Sequence, residues 1–66
     1  MKKKELKNFA KKFAQYEQII QTSTDKEEVY QAEKEIMRLS NLIESSEDMI
    51  AIDELVMEIL EKNSWL

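Results

Sequence analysis

The 66-residue chain contains no glycine, proline, cysteine or histidine. Average usage would place about eight Gly and Pro together in a chain this long. Tight hairpins, bulges and left-handed turns draw on Gly, so its absence argues against a β-rich fold. Long helices need neither residue. Without Cys there is no disulfide, and with neither Cys nor His there is no zinc site of the usual kind. A chain of this size is one domain, and a single core of this size supplies roughly 3–5 kcal/mol. Stabilisation must therefore come from close helix packing or from self-association.

The same absences remove several chemistries. His and Cys are the commonest general bases and thiol nucleophiles. The Ser and Thr residues fall at turns, caps, the chain end or, for Ser40, inside a helical pattern. None stands in a nucleophile motif. Glu54 and Glu58 share a helix face, but di-iron bundles use Glu-x-x-His. Phosphate cradles and EF-hand loops need glycine. The expectation is a protein that is not an enzyme and carries no cofactor and no metal.

What is present is 42% apolar and 36% charged. Glu, Lys, Leu, Ile, Gln, Met and Ala dominate, and these are good helix formers. The predicted fold class is all-α, a small bundle of three helices over residues 3–21, 25–44 and 47–62. In the first segment Leu6, Phe9, Phe13, Tyr16 and Ile20 alternate in steps of 3 and 4, the stripe of an amphipathic helix. Thr24 with Glu27 fits a capping box for the second. Its stripe is Val29, Ala32, Ile36, Leu39 and Ile43. Ser45 or Ser46 would cap the third, whose pattern Met49, Ile52, Val56, Ile59 is one residue out of phase with the second. That phase shift favours a break near 45–48 over the alternative, one long two-helix hairpin.

The third segment stands apart. Nine of the twelve residues from Met49 to Leu60 are apolar. A helix apolar around most of its circumference is buried on more than one side. Two other helices cannot easily cover it, so the sequence predicts a homodimer, with Met49, Ile52, Leu55, Val56, Ile59, Leu60 and Trp65 as candidate interface residues. Met37 and Met57 add adaptable apolar surface of the kind interfaces use. In the hairpin alternative, two copies would form a four-helix bundle.

Charge is unevenly spread. Residues 1–22 carry six Lys and two Glu, residues 23–44 three basic and six acidic groups, and residues 45–66 one Lys and six acids. Lys4, Lys7 and Lys11 lie on one helix face and form a candidate basic patch for nucleic-acid phosphates. Against that stands a net charge of −4 with a single Arg. Opposite-sign faces on helices one and three point to a meeting of the two, within a chain or between chains.

Met1-Lys2-Lys3-Lys4 resembles the start of a signal peptide, but Lys7, Lys11 and Lys12 interrupt any apolar run behind it. The longest apolar run, Met49 to Ile52, is far short of the ~20 residues of a membrane span. The expectation is a soluble cytoplasmic protein that does not bind membranes. In size, Lys/Glu/Ile bias and helical stretches such as Ile52-Asp53-Glu54-Leu55-Val56, the chain resembles short accessory reading frames of low-GC Gram-positive bacteria and their phages. The leading expectation is a small protein-interaction or regulatory module with a protein partner or itself. The alternative is a nucleic-acid-associated accessory protein using the first helix.

Overall fold

The computed structural model describes residues 1–64, with side chains to residue 62. Three helices follow in order: α1 (Lys3–Thr22), α2 (Lys26–Asn41) and α3 (Ser46–Ser64). Among the described residues there is no strand, and no helix is long and apolar enough to cross a membrane.

The helix ends show how a chain without glycine stops and restarts. Every described residue keeps negative φ. Hence neither α1 nor α2 ends in the left-handed conformation that Gly usually supplies. α1 leaves through Ser23 in extended geometry, its N–H donating to Ile19 O at 2.8 Å. The Thr22 hydroxyl donates back to Gln18 O at 2.7 Å. The next helix is capped by Asp25, not Thr24. Glu27 N donates to Asp25 Oδ1 at 3.0 Å, and Asp25 N donates to Ser23 Oγ at 3.2 Å. A carboxylate in that place answers both the free N–H groups and the positive end of the helix dipole.

α2 ends at Asn41, three residues before the expected limit. Leu42 N and Ile43 N donate to Leu39 O and Ser40 O, so the last turn tightens from i−4 to i−3 bonding. Ser40 Oγ donates to Ile36 O at 2.9 Å inside the same turn. The earlier stop lets Ile43 pack against the core from the connection instead of from a helix. α3 then starts at Ser46, with Ser45 as the residue before it. Asp48 N donates to Ser45 Oγ at 3.4 Å, a long bond, while Glu47 and Asp48 occupy the first turn. Helices two and three are thus separate, and the continuous-hairpin alternative does not hold.

The core is small. Ala10, Phe13, Leu39 and Ile52 form its centre, with Leu6, Phe9, Tyr16 and Ile59 among the half-buried side chains packed around them. Phe9 and Phe13 stack along α1 with ring centroids 6.4 Å apart. α1 is the central element, packing against α2 on one side and α3 on the other, whereas α2 and α3 make little direct contact. Met1 N lies 3.4 Å from Asp48 Oδ2. Lys7 and Lys11 of α1 share a groove with Glu58 and Lys62 of α3. That matching order means α1 and α3 run in the same direction. The result is a flattened molecule of 34 × 28 × 15 Å. Its radius of gyration is 12.1 Å, against roughly 11 Å for a compact chain of this length.

Candidate interaction surface

Because α2 and α3 flank α1 without closing on each other, an open cleft lies between them, with a volume of about 390 Å³. Phe13 and Glu17 of α1 form its floor. Ile36 and Ser40 form the α2 wall. Met49, Asp53, Val56, Met57 and Leu60 form the α3 wall. The lining is mostly apolar. Met57 on the α3 wall is 70% exposed, and Met37 and Ile50, next in sequence to the lining residues Ile36 and Met49, are 67% and 59% exposed.

The sequence-predicted interface residues separate into three groups. Ile52 is 0% exposed and belongs to the chain's own core, so it offers nothing to a partner. Leu55 and Ile59 are half-buried against that core. Leu55 and Ile59 sit on the α1 side, lining the narrower α1–α3 groove of about 160 Å³. Met49, Val56 and Leu60 are half-buried and line the cleft. Trp65 lies outside the described residues. The sequence had singled out Met37 and Met57 for their chemistry. Ile50, Glu17 and the α2 wall were not singled out. Ile50 and Met57 stand seven residues apart and off the stripe through Ile52 and Ile59. That spacing is the one sequence signal for a second apolar face.

The basic patch is differently placed. Lys4, Lys7 and Lys11 are all exposed on α1. Lys7 and Lys11 flank the α1–α3 groove opposite Glu58. The oppositely charged helices do meet within the chain, yet among the described residues no ion pair joins these lysines to a carboxylate. Besides the Met1–Asp48 pair, the ion pair found among the described residues is local to α2. Arg38 Nη2 and Nε both donate to Glu35 Oε2, at 2.7 and 3.0 Å. This hydrogen bond, with the Glu35 charge, holds the Arg38 guanidinium above its ordinary pKa. Lys34 Nζ sits 5.7 Å from the centroid of the Tyr30 ring. Both contacts are at the solvent boundary, where such pairs add little.

No polar side chain among the described residues is buried without a hydrogen-bond partner. No group of three His, Cys, Asp or Glu among them gathers as metal ligands would. Compared with protein families, curated proteins and solved structures, the chain matches none of them.

Proposed function

We propose that this chain is a small non-enzymatic protein-interaction module that receives a further helix in the α2–α3 cleft, completing a four-helix arrangement. The observation that carries the reading is the open cleft itself: a mostly apolar lining that includes the exposed Met57, where a closed bundle would have a third helix–helix seam. Methionine suits such a surface because its flexible thioether adapts to the residue presented to it. A second copy of the chain is one source of the docking helix, and self-association is the form of this reading that needs no other polypeptide.

The test is site-specific photo-crosslinking in the native host, with a benzophenone side chain at position 57 or at position 15 on the outer face of α1. Crosslinked protein from position 57 and none from position 15 is the expected result. Equal yields from the two, or none from position 57, would remove the cleft from consideration. A second reading, phosphate binding by Lys4, Lys7 and Lys11, is favoured by their exposure on one helix face without ion-pair partners among the described residues.

A further inference from the structure

We infer that the helix received by the cleft belongs to another polypeptide and is basic and amphipathic, with apolar residues facing inward and lysine or arginine along its flanks. This rests on the cleft being a docking groove and adds the chemistry of its occupant. Two carboxylates interrupt the apolar lining: Glu17 on the floor, half-buried, and Asp53 on the α3 wall. Neither has an ion pair or side-chain hydrogen bond among the described residues. A docked apolar face would strip water from both, and an anion losing water needs a cation beside it. A lysine or arginine at the edge of the docking helix meets that need, its methylene stem lying along the apolar wall and its charge at the carboxylate.

The same charges argue against a second copy. Two-fold pairing of identical surfaces would bring the Glu17 and Asp53 regions of one chain against those of the other. Both flanking helices belong to the acidic part of the chain, since residues 23–44 and 45–66 together hold twelve acidic and four basic groups. Most of the lysines are on α1, whose apolar side is already occupied by Ala10 and Phe13 in the core. The apolar stripe of α1 in a second copy is therefore turned toward its own core. Complementary charge then selects the partner, while the apolar anchors at i, i+3/i+4 and i+7 supply contact area.

The experiment titrates the full ¹⁵N-labelled chain with three synthetic three-heptad peptides sharing Leu at positions a and d, and carrying Lys, Gln or Glu at e and g. The Lys peptide is expected to shift the amide resonances of Ile36, Val56 and Leu60. It should bind about tenfold tighter than the Glu peptide, the sum of two partly screened charge contacts. In the double variant Glu17→Gln, Asp53→Asn that difference should fall to less than about threefold, and added salt should narrow it in the parent. Equal binding of the Lys and Glu peptides in the cleft would overturn the charge inference and leave the docking groove intact. Cleft resonances that shift with protein concentration alone, with a dimer mass in light scattering, would make a second copy the occupant and overturn it as well. A monomer whose cleft resonances respond to none of the peptides would overturn the docking groove itself.

Discussion

Replacing Ile52 by Ala tests the placement of α3 most directly. Ile52 is the largest side chain fully shielded from solvent among the described residues. The other buried residues among those described are Phe13, Leu39 and three alanines, Ala10, Ala14 and Ala32. With so few large side chains inside, the loss has little to fall back on. Buried Ile→Ala changes cost about 2–5 kcal/mol, depending on how far the site collapses. Here α1 and α3 have open space beside them at the cleft, which favours partial collapse and a cost of about 3 kcal/mol. Set against a total of about 4 kcal/mol for a core this small, the variant retains about 1 kcal/mol and is roughly four-fifths folded in buffer. At a urea slope of about 1 kcal/mol/M, the midpoint moves from about 4 M to about 1 M. The assay is far-ultraviolet circular dichroism in urea at two protein concentrations. Met57→Ala is the matched control on the same helix, exposed where Ile52 is not, and should stay within about 0.5 kcal/mol of the parent. A fall in midpoint of less than about 0.5 M for Ile52→Ala, or an equal fall for Met57→Ala, would mean that another face of α3 is inside. A midpoint that rises with protein concentration would show that association contributes to the stability measured.

Asp25→Ala should destabilise the protein by about 0.5–2 kcal/mol through loss of the α2 cap, while Thr24→Ala should change it by less than about 0.5 kcal/mol; the reverse order in urea melts would restore Thr24 as the cap. Ser45→Ala should cost less than Asp25→Ala, because its bond to Asp48 N is stretched to 3.4 Å, and equal costs would contradict that ordering. Changing Lys4, Lys7 and Lys11 together to Glu should leave the helical signal in place, since all three are exposed. If the lysine face binds nucleic acid, the parent should bind at low salt with affinity falling steeply as salt rises, and the triple variant should not; no binding by the parent in a gel-shift assay at low salt removes that reading.

Much of the fold is local and was legible in the residues. The 3-and-4 spacing through Leu6, Phe9, Phe13, Tyr16 and Ile20 specifies a helix without reference to anything else in the chain. The phase shift between Ile43 and Met49 signalled a break, expected near residues 45–48, which the structure places at residues 42–45. Helix limits were less legible because they depend on which of several adjacent capping groups wins. Thr24 and Asp25 both have suitable oxygens, and only the backbone path out of α1 puts Asp25 in the capping position. The candidate interface was legible as composition and not as geometry. With nine apolar residues in twelve, α3 has no single apolar stripe, so its sequence could not say that Ile52 turns inward while Ile50 and Met57 turn out.

The sequence by itself determined that the chain is helical, that it breaks twice, and that its lysines and acids separate along its length. These follow from side-chain period, capping chemistry and composition, all of which act over a few residues. The tertiary structure decided that α1 is the central helix and that α2 and α3 stand apart across it. It also decided that Glu17 and Asp53 share a cleft with Val56 and Leu60. The physical reason is that the angle between two helices is set by which ridges meet which grooves, a property of paired surfaces that neither helix carries alone.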